Sequence, residues 1–340
     1  MTTAVLTGAA GPLGRRVLAI LARDPDLRRV VAVDRVAVEG PPPGVEAVAA
    51  DLADADLKAL FEGADLVLHL AAESTRRVLD AAGAVGARRV VLLSSATVYG
   101  AWPGNPVPLT EDAPVRPNPG FDLAVHRAED ERLAAEHRDA HPGTTVAVLR
   151  PAPTVAEDGC SELASLLNDA PEVRPEGEVE DPPAQYLHFD DLASAVAMAA
   201  RQGLDGPFNV APDGWISREQ VRALGGSGLR LPLPEPVAHR LAALRWRLGL
   251  RPVPPSFLPY LTHPWVVAND RLRAAGWTAR HTNEEAFVAG HRPGPFATLS
   301  PRRRQELLLG AAAVVLAGAV TGTLLVARRL TRRRSASPPG

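Results

Sequence analysis

The chain has 340 residues, 46% hydrophobic and 22% charged, which suits one large α/β domain with a smaller lobe or two domains. Its net charge of −2 gives no global electrostatic basis for binding nucleic acid. With Cys160 as the single cysteine, neither an intramolecular disulfide nor a Cys-based zinc site can form, and a reducing compartment fits.

In chain order, the apolar runs 4–8, 30–34, 66–72, 89–95 and 145–151 predict buried parallel strands. Between them, 12–23, 54–62, 74–86 and 121–138 predict helices. This alternation indicates an α/β fold, a doubly wound parallel sheet of Rossmann type with a smaller C-terminal lobe. The expected division is a nucleotide-binding domain over 1–150, lobe elements and the last sheet strands over 151–290, and a linker over 291–305. A transmembrane helix over 306–328 and a basic tail over 329–340 follow.

The membrane expectation rests on residues 307–327, an uncharged run of 21 residues, which as a helix spans ~30 Å, a bilayer's hydrocarbon thickness. Arg302, Arg303 and Arg304 precede it, and Arg328, Arg329, Arg332, Arg333 and Arg334 follow. Such brackets favour a span over a buried alanine-rich helix. The N-terminus enters a strand with no export signal, so the folded part is expected in the cytoplasm, anchored to the cytoplasmic membrane by this single C-terminal pass. The charge bias of the tail argues for the opposite topology. Gly318 and Gly322 form a GxxxG seam that would serve a homodimer.

Residues 7–14 read TGAAGPLG between a predicted strand and a predicted helix. Gly8, Gly11 and Gly14 allow a tight turn and close approach to a pyrophosphate, with Thr7, Pro12 and Leu13 completing the loop. The helix start offers free N–H groups and a positive dipole end, and Pro12 fits its first turn. Asp34 ends the second strand, 20 residues after Gly14, where a carboxylate accepts from the adenosine ribose hydroxyls and repels a 2′-phosphate. NAD is therefore expected over NADP, although Arg35 beside it leaves NADP an opening.

With TGAAGPLG, the chain carries Asp51-Leu52, HLAA (69–72), SSATVYG (94–100), LTED (109–112), LRPAPTV (149–155), YLHFDDLASAV (186–196) and FNVAPDG (208–214) in order. It resembles the extended short-chain dehydrogenases/reductases, most closely the NAD-dependent epimerase/dehydratase group typified by UDP-glucose 4-epimerase. The resemblance covers roughly residues 3–290. It implies NAD in the Rossmann domain and a lobe over a nucleotide sugar or another small molecule. Asp51 and Leu52 would lie near the adenine, and Leu70, Ala71 and Ala72 would line the cofactor cleft.

The resemblance also implies a catalytic Ser or Thr, with a Tyr and a Lys spaced YxxxK. A phenol exchanges the proton of a substrate hydroxyl while hydride moves, and the Lys lowers the phenol's pKa from ~10. Ser95 matches the Ser position, but Leu123 stands for the Tyr and Arg127 for the Lys, followed by Glu131. Arginine keeps the charge; leucine has nothing to ionise. The chain's three tyrosines, Tyr99, Tyr186 and Tyr260, do not restore the motif by a change of register. His126 is chemically able to replace the phenol, though a solvated surface histidine is the stronger expectation, and Asp122 is poorly placed. A shortened junction at Glu73 and Ser74, where the family carries a longer loop and helix, is a second departure. The expected protein is an NAD-binding member with a degraded catalytic set, acting as a membrane-tethered sensor or scaffold. The alternative is an active epimerase, dehydratase or reductase with an atypical acid/base.

His188, Asp190 and Asp191 read as a helix start with Asp190 as N-cap, not as a metal site. Thr282 and Glu285 have capping-box spacing.

Overall fold

The computed structural model describes residues 2–170, 173–174, 181–225, 233–249 and 253–291, all within one compact unit. The first half alternates strand and helix: β1 (Thr2–Thr7), α1 (Pro12–Leu21), β2 (Leu27–Asp34), β3 (Val45–Ala49), α2 (Leu57–Leu60), β4 (Leu66–His69), α3 (Thr75–Ala84), β5 (Arg89–Leu93), α4 (Asp122–Ala140) and β6 (Thr145–Pro151). The short β7 (Thr154–Ala156), β8 (Gly159–Cys160), α5 (Glu162–Asp169), β9 (Val173–Arg174) and β10 (Leu187–His188) come next. They lead to α6 (Phe189–Gln202) and β11 (Gly206–Val210). The remainder holds α7 (Arg218–Leu224), β12 (Leu233–Pro234), α8 (Glu235–Arg247), α9 (Pro259–Thr262), α10 (Asp270–Ala274) and α11 (Asn283–Gly290).

Seven strands form one parallel sheet in the order β11-β6-β5-β4-β1-β2-β3. Successive side chains in a strand point to opposite faces, and here both faces are covered. Ala4, Leu6, Ala32 and Leu68 join Val17 and Leu18 of α1 and Leu192 and Val196 of α6 on one side. Val5, Val31, Val67 and Val90 join Phe61, Val78, Leu79, Leu133 and Ala134 on the other. This is why the strands read as unbroken apolar runs. β1 lies between β2 and β4, so the connections after β1 and β4 leave on opposite sides, and a crevice opens at the carboxyl ends of these strands.

A small sheet, β10-β7-β8, lies beyond β6, and α11 packs on it through an edge-on contact of Tyr186 with Phe287 at 4.9 Å. The capping box expected at Thr282 and Glu285 is present at the start of α11. Among the described residues no helix is long and apolar enough to cross a membrane. The run 307–327, the linker past 291, the GxxxG seam and the basic tail lie outside the described residues.

Candidate functional site

The loop from β1 to α1 lies at the crevice. Gly8 has a φ of +77°, which an L side chain rarely adopts, and a Cβ there would come 2.7 Å from the Ala71 nitrogen. A Cβ on Gly14 would stand 2.2 Å from the Gly8 carbonyl oxygen. Both glycines are required by close backbone packing. Gly11 differs. Its φ of −69° suits any residue, and the nearest neighbour of a Cβ would be the Gly8 oxygen at 3.8 Å. Among the described residues no close contact demands glycine at this position, and room beside the start of α1 is what a phosphate group needs. No side chain caps α1, and Pro12 brings no N–H, so the first-turn N–H groups of Leu13 and Gly14 are left for an anion or water. These residues fit a bound dinucleotide.

Asp34 at the end of β2 accepts from the Ala10 N–H through Oδ2 (2.9 Å) and from the Val36 N–H through Oδ1 (3.1 Å). The carboxylate is thereby tied to the glycine loop. Arg35 is exposed and pairs with Glu73 at 3.5 Å. Asp51 accepts from the Ala53 N–H (2.8 Å), and the Leu52 carbonyl accepts from Arg77. Leu70 is buried, its N–H donating to the Thr7 carbonyl (3.1 Å), while Ala71 is half-buried and Ala72 exposed.

A buried polar cluster underlies this crevice. The Thr7 hydroxyl meets His69 Nδ1 at 2.7 Å, and His69 Nε2 meets the Thr75 hydroxyl at 3.1 Å. Burial first, and the Arg127 charge second, push His69 down to about 3, so the ring is neutral at physiological pH. Arg127, one turn after Leu123 on α4, is buried; its Nη1 donates to the Leu93 carbonyl (2.9 Å) and lies 3.4 Å from Asp130 Oδ2. Burial lowers the Arg127 pKa and raises that of Asp130, while their pairing opposes both shifts. Arg127 is thus held by the end of β5 and by its own helix. His69, Thr75 and Asp130 escaped the sequence reading because the apolar run 66–72 hid the histidine and a helical aspartate looks like surface. A polar residue inside an otherwise apolar strand was the available signal.

Ser95 is buried and caps the short turn 96–99, its Oγ accepting from the Thr97 N–H (3.2 Å) and hydroxyl (2.9 Å). Leu123 is half-buried against the core. His126 and Asp122 are exposed on α4. Glu131 holds Arg150 (2.6 Å) and accepts from the Ser94 hydroxyl (2.5 Å). Arg150 donates to the Tyr99 hydroxyl (2.7 Å), which donates to Asn209 Oδ1 (2.7 Å). Burial pushes Tyr99 up to about 12 despite Arg150. The Tyr260 hydroxyl donates to the Thr97 carbonyl (2.9 Å), and burial raises its pKa too. Both phenols are therefore committed to structure, and position 123 offers none.

At the start of α6 the N-cap is His188, whose Nδ1 accepts from the Asp190 N–H (3.2 Å), not Asp190 as the sequence suggested. The helix begins at Phe189, one residue before Asp190, which therefore lies within the first turn and pairs with Arg16 at 2.6 Å. Asp191 is fully buried and accepts from the N–H groups of Arg280 (2.8 Å) and His281 (3.0 Å). Among the described residues no cluster of three or more His, Cys, Asp or Glu could hold a metal ion.

A family model described as NAD(P)H-binding matches residues 8–159. A 3-diazoavenalumate denitrifying reductase from a Streptomyces species is 31% identical over 302 residues, covering 81% of this chain and 92% of that protein. The chain belongs to the extended short-chain dehydrogenase/reductase family. A further relative, dTDP-glucose 4,6-dehydratase of Streptomyces griseus, is 28% identical over 267 residues, covering 66% of this chain and 78% of that protein. The structure of the UDP-glucose 4-epimerase of Thermus thermophilus in complex with NAD is similar in fold, with a TM-score of 0.61 at 21% identity over 85% of this chain and 97% of that one. In this member of the family α4 presents a half-buried Leu123 and an Arg127 tied to the Leu93 carbonyl.

Proposed function

We propose that this protein binds NAD in the crevice between β1 and β4 and has lost the proton-coupled chemistry of epimerases and dehydratases. It would act as a nucleotide-binding sensor or scaffold, tethered at the cytoplasmic membrane by the run 307–327. The observation that carries the reading is the contrast at the site: a Cβ at Gly11 would meet no neighbour closer than the Gly8 oxygen at 3.8 Å, so packing alone does not call for glycine there, yet position 123 carries no phenol. Gly8, Gly11, Gly14 and Asp34 would hold the dinucleotide, with Asp51, Leu52, Leu70, Ala71 and Ala72 around it. Bound NAD would supply a hydride acceptor. Ser95 could hydrogen-bond a reacting oxygen, but position 123 offers no phenol to exchange its proton. A nucleotide sugar or another small molecule would be sensed beside the cofactor.

The test is turnover of UDP-glucose with NAD, comparing the native chain with the double variant Leu123→Tyr, Arg127→Lys. The native chain should show no epimer above background. The variant should gain measurable turnover, because the phenol contributes ~10²–10⁴-fold. Equal, substantial turnover by both would overturn the reading.

The Streptomyces relative favours a second reading, reduction of an acceptor that needs no proton. Replacing a diazonium group by hydrogen consumes one hydride, forms a C–H bond, breaks the C–N bond and releases N2 with that bond's electrons. No proton moves, so a leucine at 123 would be no handicap. NADH oxidation coupled to N2 release from a simple arenediazonium would select this reading over the sensor; its absence would leave the sensor standing.

A further inference from the structure

Helix α8 lies on the body of the protein by its small residues, Ala238 and Ala242, which are buried. On its outer side Val237, Leu241, Leu244 and the C-cap Leu248 are 46, 36, 55 and 60% exposed. Their spacing of i, i+4, i+7 and i+11 puts them in one stripe about 60° wide. Single exposed apolar residues need no explanation, but a contiguous stripe marks an interaction surface. Arg240 and Arg247 flank the stripe on one side and Arg245 on the other. The one acid on the helix, Glu235, stands at its start and lies 3.9 Å from His239.

We propose that α8 is a membrane-surface helix that lays this stripe into the headgroup region of an anionic bilayer. Apolar residues between flanking arginines have the pattern that interfacial helices use: the stripe enters the acyl boundary while the guanidinium groups meet lipid phosphates. The same arginines disfavour the rival occupants. A second copy of α8 on a two-fold axis would set arginines against arginines. The chain's own run 307–327 is bracketed by arginine clusters, which repel this face in the same way. The inference stands on α8 itself and survives failure of the nucleotide-binding reading.

The test uses the full-length protein with a single label. Cys160→Ser with Leu244→Cys carries an environment-sensitive fluorophore and is mixed with phosphatidylcholine vesicles, with or without phosphatidylglycerol. A blue shift that requires phosphatidylglycerol and weakens with salt is expected. The variant Arg240→Glu, Arg245→Glu, Arg247→Glu should lose it, with partitioning reduced on the order of 100-fold. These side chains are exposed, so circular dichroism should show an unchanged fold. A label equally apolar without lipid would mean the chain covers its own stripe, and a shift that follows protein concentration would mean a second copy does. Either result, or a label that stays in water, would overturn the proposal.

Discussion

Arg127 and His69 show how a buried cation and a neutral histidine share one small volume. The ring of His69 is clamped between the hydroxyls of Thr7 and Thr75, and both burial and the Arg127 charge oppose its protonation. In the unfolded chain this histidine takes up a proton near pH 6.5, whereas in the folded chain it does so only near 3. Between these values the unfolded state binds more protons, so stability falls as pH falls, by up to about 1.4 kcal/mol per pH unit. Asp130, raised by burial, has the opposite sign at the acid end, so the slope is best read from pH 6.5 down to about 5. Urea unfolding of His69→Gln across this range should show a flatter dependence than the native chain. An identical slope would remove His69 as its source.

At the scale of elements, the glycine loop separates what folding needs from what a ligand needs. Gly14→Ala forces a methyl group against the Gly8 carbonyl and should destabilise by roughly 1–3 kcal/mol or more. Gly11→Ala makes only an ordinary contact with the Gly8 oxygen, at an ordinary φ, and should stabilise by about 0.4–1 kcal/mol, because it restricts the unfolded chain. The same methyl would intrude on a bound pyrophosphate and should weaken NAD at least about tenfold, a cost of ~1.4 kcal/mol. Thermal melts with NAD titrations check the pair; a Gly11→Ala chain that binds NAD undiminished would contradict the assignment. The β1, β2, β4, β5 and β6 strands were legible as apolar runs because both faces of the sheet are covered. β3 was not, since this edge strand leaves Glu46 and Ala47 exposed and alternates too weakly to register. The sequence run 66–72 extended past β4 because Leu70 is buried after leaving the sheet. The cap falls on His188 rather than Asp190 because the helix already begins at Phe189, and a histidine ring is a less familiar capping acceptor than a carboxylate.

For the whole molecule, the fold and the cofactor cradle come from patterns that a sequence displays directly, strand periodicity and glycine spacing. The fate of the reaction does not. Leu123 stands where the family resemblance places a phenol, but only the fold shows that Tyr99 and Tyr260 are bound to other partners and that Arg127 is held by the Leu93 carbonyl. Such long-range pairings leave no local signal. Helix α8 and the run 307–327 share an arginine-flanked apolar sequence character, which is what the proposed tether to a bilayer calls for. On the proposed reading this body still binds its dinucleotide. Calorimetric titration of NAD and NADP into the full-length protein in mild detergent tests it most directly. Saturable binding of NAD, tighter than NADP and weakened by Asp34→Asn, is the predicted result. A folded protein that binds neither nucleotide would contradict it.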